Sequence, residues 1–453
     1  MADLGFKGEK VFVYGLGRSG QAMAAALYAD GAEVYIYDKT PLDELLQSIG
    51  IKNLLNKPKV YFVDGGSADF QNFKGFFKSP GISMKDVVVQ QAQAAGLDIM
   101  GDVDLLYRRE PDAQFVAITG TNGKSTTTAL IGHVLEKAGK KVATGGNLGT
   151  ALLNLPVGQD YYVLELSSYQ LETMHEMKID YAVLLNITPD HLVRHGDMSN
   201  YLEVKKKVFS NADGFNVLGI DNPELLALST AGDFHTVSTE GATAEFQVNP
   251  EGVLVEGENE VMDMKEFSHL PGRHNWQNIA CAYAILKEIV SAELIRKFVL
   301  TFKNLPHRLE KVAEYKGVKF YNDSKATNPD SAIRALRSFK HIFWICGGEM
   351  KDEGMYPCLK HLSDVECAFV IGTQTPVIAS QLQEHVETVE CGTLEEAVYK
   401  SWRKYKVSGL DDAVFLFSPA CASWDQFDSF EHRGDAFVNL CHELVNRLQT
   451  EQQ

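Results

Sequence analysis

Short apolar runs alternate with segments of helical period along most of the chain. Lys10-Val-Phe-Val-Tyr14 and Glu33-Val-Tyr-Ile-Tyr37 flank a helical segment running to about Asp30, which predicts a βαβ unit ending in Asp38. Phe115-Val-Ala-Ile118 predicts a buried strand, and Lys124 to Ala138 carries helical periodicity closed by Gly139. Further strands are expected at 161–166, 181–186, 341–346, 368–371 and 413–417. Residues 240–265 break the alternation: they are polar and rich in Gly and Glu, and predict a short β excursion or surface loops. Apolar runs this short, separated by helical stretches, imply mostly parallel sheets covered by helices. The alternation falls into three blocks, 1–102, 103–304 and 305–453.

Length fits that division, because 453 residues exceed what one hydrophobic core usually serves. The formal charge of −17 argues against a nucleic-acid binder, which needs a basic face for the phosphate backbone. It leaves room for nucleotide ligands, which loops and a few cations can hold. No run approaches the roughly 18 apolar residues of a membrane span, and the N-terminal residues carry no signal-peptide core. All seven cysteines lie after residue 280 without Cys-x-x-Cys spacing, the pattern of reduced core residues. A soluble cytoplasmic protein with no membrane partner is therefore expected, and a monomer.

Chemistry concentrates first at Ile118-Thr-Gly-Thr-Asn-Gly-Lys-Ser-Thr126, between the strand at 115–118 and the helix at 124–138. Gly120 and Gly123 let the loop turn its N–H groups toward a polyphosphate. Lys124 can reach the β and γ phosphates, and the Ser125 hydroxyl can ligate Mg²⁺. The helix N-terminus adds partial positive charge. A strict P-loop has Gly where Ile118 stands, but the Gly-Lys-Ser-Thr end is intact. ATP is the expected ligand, held by Gly120, Thr121, Asn122, Gly123, Lys124, Ser125 and Thr126. The first block carries Gly15-x-Gly-x-x-Gly20 with Asp38, formally a dinucleotide fingerprint. Its physical content is a pyrophosphate on a helix N-terminus and an acidic residue near a ribose or base, so a UDP-linked molecule fits as well as NAD does. Ser79-Pro-Gly-Ile82 could line the same crevice or form a plain turn.

Further clusters follow: Gly145-Gly-Asn-Leu-Gly149, Glu165-Leu-Ser-Ser-Tyr-Gln-Leu-Glu172, Asn186-Ile-Thr-Pro-Asp-His191 and Tyr201-Leu-Glu-Val-Lys205. After them come Gly272-Arg-His-Asn-Trp-Gln-Asn278, Leu305-Pro-His-Arg308, Asn322-Asp-Ser-Lys-Ala-Thr-Asn328, Gly347-Gly-Glu-Met-Lys351 and Ser418-Pro-Ala-Cys-Ala-Ser-Trp-Asp-Gln-Phe427. Together these resemble the Mur ligases over essentially the whole chain, and the first and last clusters resemble the branch acting with D-glutamate. The resemblance implies an α/β chain of three domains. These are an N-terminal Rossmann-like domain for a UDP-sugar (1–102), a central P-loop ATPase domain with a mostly parallel sheet (103–304), and a C-terminal Rossmann-like amino-acid domain (305–453).

The implied activity joins D-glutamate to the carboxylate of UDP-N-acetylmuramoyl-L-alanine through an acyl phosphate, in cytoplasmic peptidoglycan precursor synthesis. A Lys on the β and γ phosphates suits γ-phosphoryl transfer, and two anions brought together call for metal between them. Glu165 at a strand end can supply a carboxylate oxygen to Mg²⁺ beside Ser125. His191 is a second metal ligand by resemblance. Lys205-Lys-Lys207 reads on its own as a solvated helix face; the resemblance makes Lys205 a carbamate formed from CO₂, a ligand to a second Mg²⁺. The catalytic set implied is Lys124, Glu165, His191 and Lys205.

By the same resemblance Asn275, Asn278, Arg308 and Asp323 serve ATP. Gly17, Arg18, Ser19, Asp38, Ser79, Gly81, Asn147 and His191 serve the UDP-sugar, and Lys325, Thr327, Lys351, Ser423 and Phe430 serve D-glutamate. Ser423-x-x-Gln426 is in addition a capping-box pattern opening a helix, whose N-terminus would seat a carboxylate. A sibling adding lysine or diaminopimelate would carry Asp-Asn-Pro-Arg, absent here. A nicotinamide dehydrogenase would leave the P-loop unexplained.

Overall fold

Three sheets carry the chain, and in each the short apolar runs become parallel strands. The first is wholly parallel, in the order Val60–Phe62, Glu33–Tyr37, Lys10–Tyr14, Gly75–Lys78, Ile99–Met100. The second has nine strands. Its parallel part runs Phe246–Val248, His235–Ser238, Phe215–Gly219, Tyr181–Leu184, Gln114–Thr119, Tyr161–Glu165, Val142–Gly146. Val253–Glu256 and Asn259–Asp263 add antiparallel at its edge, so the polar stretch 240–265 is a β excursion. The third sheet runs Glu310–Tyr315, Val318–Asn322, Ala413–Phe417, Ile342–Gly347, Val365–Ile371, Thr388–Gly392, antiparallel only at its first pair.

The computed structural model describes residues 3–147, 149–211, 213–350 and 354–450. They form two compact units: residues up to Asp263 together with Gln277–Leu300, and Met264–Trp276 together with residues from Thr301 onward. Phe115-Val-Ala-Ile118 is buried throughout, as expected of a parallel strand with helices on both faces. All seven cysteines are free thiols, and only Cys391 is partly exposed. Among the described residues no helix is long and apolar enough to cross a membrane.

One local expectation fails. Ser423 does not open a helix: its carbonyl accepts from the N–H groups of Gln426 and Phe427, a single turn that goes no further. The Gln426 amide donates to the Gly392 carbonyl instead of returning to Ser423. The helix begins at Phe430, with the Ser429 hydroxyl accepting from His432 N–H as the cap. The capping pattern was present but one turn of backbone satisfies it.

Candidate active site

Parallel register brings the chemistry to one edge. Ile118 pairs with Glu165, Gly146 with Glu165, and Thr119 with Leu184, so the loop after Thr119, the Glu165 carboxylate and Asn186 emerge side by side. This is the carboxyl end of a parallel sheet, where α/β proteins bind ligands. The helix Lys124–Lys137 starts from Gly123, whose φ is 86°. A Cβ there would sit 2.2 Å from Asn278 Oδ1, so only glycine admits that asparagine against the loop. Asn186 braces the loop from the other side: its Oδ1 accepts from Asn122 N–H at 2.9 Å, and its Nδ2 donates to Asn122 O at 3.1 Å. Gln277 and Asp221 extend that brace, with Asn186 Nδ2 donating to Gln277 Oε1 and Gln277 Nε2 donating to Asp221.

Lys124 Nζ lies on the loop, donating to the carbonyls of Gly120 at 3.0 Å and Thr121 at 2.7 Å. Ser125 and Thr126 are buried in the first helical turn. Lys205 is fully buried on the helix Met198–Lys206, unlike Lys206, which pairs with Glu203 at the surface. The solvated-face reading of the triplet is therefore wrong for Lys205. Its Nζ donates to Gly120 O at 2.7 Å and to Thr119 Oγ1 at 3.3 Å, under the phosphate loop itself. Burial, then the nearby Lys124 ammonium, holds its pKa well below the ordinary lysine range. Both effects favour the neutral amine over the ammonium.

Glu165 is buried, and only one of its oxygens is engaged by protein: Oε1 accepts from Asn147 Nδ2 at 2.6 Å, and Oε2 has no hydrogen-bond partner. An orphaned buried carboxylate oxygen fits a cation. Among the described residues no three His, Cys, Asp or Glu side chains form a ready metal cage. Mg²⁺ takes one or two carboxylates and completes its shell with water and phosphate oxygens. His191 has positive φ (55°) and precedes a four-residue helix; its Nδ1 lies 3.0 Å from the Tyr169 hydroxyl and its Nε2 3.6 Å from Asp190 Oδ2.

A cavity of about 480 Å³ lies between Lys124, His191 and Lys205 and the glycine loop after the strand Lys10–Tyr14. Gly17, Arg18, Ser19, Ser79, Pro80 and Gly81 line it on one side, and Lys124, Asn147, Asp190, His191 and Lys205 on the other. Ser79, Pro80 and Gly81 thus line the crevice as well as turning. Arg18 donates across it to Gly149 O at 2.9 Å. Gly20 is required by closeness: a Cβ there would stand 1.7 Å from Gly15 O. Asp38 is not among the lining residues; its carboxylate accepts from the N–H groups of Leu16 at 2.6 Å and Thr40 at 2.8 Å, fixing the glycine loop.

The second unit gathers its own set at the carboxyl ends of its strands. Asp323 is buried, accepting from Ser418 Oγ at 2.7 Å and Leu309 N–H at 3.2 Å, and burial pushes its carboxyl up to about 7. Lys325 Nζ stands 3.8 Å over the Phe430 ring, so two of the residues expected at D-glutamate meet. Thr327 follows in the same turn, its N–H donating to Lys325 O. Ser423 is buried nearby in sequence to Cys421 and Ala422, whose carbonyls accept from Arg433. Arg433 also donates to Ser324 Oγ and O, tying the 322–328 loop to the 418–427 loop. Asn275 Nδ2 donates to Pro271 O at 2.8 Å, and the Arg308 carbonyl accepts from Asn304. Lys351 lies outside the described residues.

Asp190, Gln277, Asp221 and Arg433 went unassigned in the sequence. Gln277 sits between Asn275 and Asn278, and Asp190 beside His191, so adjacency could have flagged those two. Arg433 and Asp221 reach partners too distant along the chain for any local pattern.

Family models match most of the chain in order: a "Mur ligase MurD-like, N-terminal domain" over 9–101, a "Mur ligase middle domain" over 118–286, and a "Mur ligase, glutamate ligase domain" over 307–421. Curated proteins named UDP-N-acetylmuramoylalanine–D-glutamate ligase are similar throughout. The one from Paramagnetospirillum magneticum is 42% identical, covering 96% of both chains. That from Phenylobacterium zucineum is 40% identical, covering 98% of both. Among solved structures, MurF from Acinetobacter baumannii aligns with a TM-score of 0.61 at 17% identity, over 97% of this chain and 92% of that one. The UDP-N-acetylmuramate-alanine ligase MurC from Thermotoga maritima aligns at 0.59 and 19%, over 96% and 99%. Those two share the fold.

Proposed function

The chain belongs to the Mur ligase family, in the group of UDP-N-acetylmuramoylalanine–D-glutamate ligases, and from that premise we propose how its own residues carry the reaction. It is an ATP-dependent ligase that adds D-glutamate to UDP-N-acetylmuramoyl-L-alanine in peptidoglycan synthesis, working in the cytoplasm as a monomer. The observation that carries the assignment is the cavity in which the glycine loop and the 79–82 turn face Lys124, His191 and Lys205. A nucleotide-sugar held at one end would present its free carboxylate to the phosphate loop at the other.

Gly120 to Thr126 cradle the ATP phosphates, with Lys124 on the β and γ groups. Asn275, Asn278, Arg308 and Asp323 serve the remainder of ATP. Gly17, Arg18, Ser19, Ser79, Gly81 and Asn147 hold the UDP-sugar, with Asp38 shaping the loop. The γ-phosphoryl passes to the L-alanyl carboxylate, releasing ADP. The D-glutamate amine attacks the acyl carbon, phosphate leaves, and the amine sheds a proton. Lys325, Thr327, Lys351, Ser423 and Phe430 hold D-glutamate. Lys205, as its neutral amine, takes up CO₂ and sheds one proton to become a carbamate, which turns a buried neutral group into an anion. Ser125, Glu165, His191 and carbamoylated Lys205 would hold two Mg²⁺ ions, which neutralise charge on the reacting phosphate and carboxylate. The domain limits that go with these roles are 1–102, 103–304 and 305–453.

Acceptor choice tests the reading. Phosphate release from ATP with UDP-N-acetylmuramoyl-L-alanine should require D-glutamate. L-glutamate, L-lysine and diaminopimelate should be poor acceptors, since a mirror or basic side chain misplaces a carboxylate or brings a cation to Lys325. Efficient ligation of any of those three overturns the substrate assignment.

A further inference from the structure

Arg194 bridges two pieces of the cavity wall. Its Nη2 donates to Ile82 O at 2.6 Å and its Nη1 to Gly81 O at 3.3 Å, with Pro80 O at 3.5 Å. Pro80 and Gly81 are lining residues. Three carbonyls of one turn therefore converge on a single guanidinium, and the turn cannot shift without losing them. The guanidinium is itself held by Glu172, Nε to Oε1 at 2.9 Å and Nη2 to Oε2 at 2.5 Å, a bidentate pair that fixes its plane. It also stacks 4.8 Å over Tyr169, the residue whose hydroxyl meets His191 Nδ1.

Glu172 has a second cation beside it. Lys78, the residue before Ser79, is fully buried with Nζ 3.8 Å from Glu172 Oε2 and without a hydrogen-bond partner. Burial lowers its pKa to about 8. One carboxylate thus anchors both the start of the 79–82 turn, through Lys78, and its middle, through Arg194. The opposite end of the same anchor is three residues from His191.

We propose that Arg194, locked by Glu172, is a positioning residue for the nucleotide-sugar substrate: it fixes the spacing between the Ser79–Ile82 turn and His191, and so between the substrate's held end and its reacting carboxylate. The proposal rests on the cavity being the nucleotide-sugar site. A tie that only stabilised the fold would lower the melting temperature and leave substrate selectivity alone. A positioning tie acts on one substrate.

The test measures kcat and the KM for each of the three substrates in Arg194→Ala, Arg194→Lys, Glu172→Gln and the double variant Arg194→Ala with Glu172→Gln. Arg194→Ala should raise KM for UDP-N-acetylmuramoyl-L-alanine about 30-fold or more, in the range that a misplaced reactant costs, with KM for ATP unchanged. Arg194→Lys should recover only part, because a point ammonium cannot grip the carboxylate bidentately and still reach the turn. Glu172→Gln should show the same selective loss, and the double variant should be little worse than Arg194→Ala. If Arg194→Ala fails to fold, the same split read in Arg194→Lys decides. An unchanged KM for the nucleotide-sugar, or equal rises for ATP and nucleotide-sugar, overturns the positioning role. Wild-type turnover of UDP-N-acetylmuramoyl-L-alanine is the control, and its absence would sink the ligase reading rather than the tie.

Discussion

Lys205→Ala is expected to lose turnover by about 10³-fold or more: in the role proposed for it, removing a metal ligand takes away several kcal/mol of charge stabilisation at about 1.4 kcal/mol per tenfold. The lysine is buried beneath the phosphate loop with its Nζ 2.7 Å from Gly120 O, and its amine is held toward the neutral form. A neutral amine captures CO₂; an ammonium does not. Acetate or formate at high concentration should enter the space left in the alanine variant and restore part of the rate. With ¹³C-bicarbonate, the wild-type protein should show a carbamate carbonyl resonance that the variant lacks. Wild-type turnover in Lys205→Ala, or no labelled carbamate, removes that role from Lys205.

Lys124→Met should be comparably severe, again about 10³-fold in kcat, since in such sites catalysis is almost wholly positioning and charge stabilisation of the transferring phosphoryl group. Methionine keeps the length of the stem and removes only the cation. Unlike Lys205→Ala, this variant should not respond to added carboxylates, because what it lacks is positive charge. The KM for the nucleotide-sugar should hold, since Arg18 and the 79–82 turn remain. Stopped-assay phosphate release over a range of acetate concentrations separates the two variants. Rescue of Lys124→Met by acetate would contradict the assignment of separate roles.

The phosphate loop was legible because its chemistry is local: a buried strand, two glycines and a helix start lie within 24 residues of sequence from Phe115 to Ala138. The parallel sheets were legible for a similar reason, as short strands buried on both faces leave continuous apolar runs. Lys205 was harder. From charge alone it belonged with Lys206 and Lys207, yet Tyr201 and Lys205 are four apart, share a helix face and are both buried. That spacing distinguishes it, and the family resemblance pointed to it.

Ser423 shows the converse. A four-residue capping pattern predicts a helix start, but the backbone spent it on one turn and Ser429 capped the real helix. The ties of Arg194 to Ile82 and of Arg433 to Ser324 could not be read at all, because those partners lie 112 and 109 residues away, and only the fold brings them together. Glu165 fell between these cases: its strand-end position was foreseeable, its single unpartnered oxygen was not.

Following the oxygen tests the central claim most directly. UDP-N-acetylmuramoyl-L-alanine carrying ¹⁸O in its alanyl carboxylate is incubated with ATP, Mg²⁺ and D-glutamate, and all three products are weighed by mass spectrometry. Acyl-phosphate chemistry at the Lys124 loop predicts the D-glutamyl adduct of the nucleotide-sugar, ADP, and inorganic phosphate bearing one ¹⁸O. Label recovered in AMP, or unlabelled phosphate with no adduct, would contradict it.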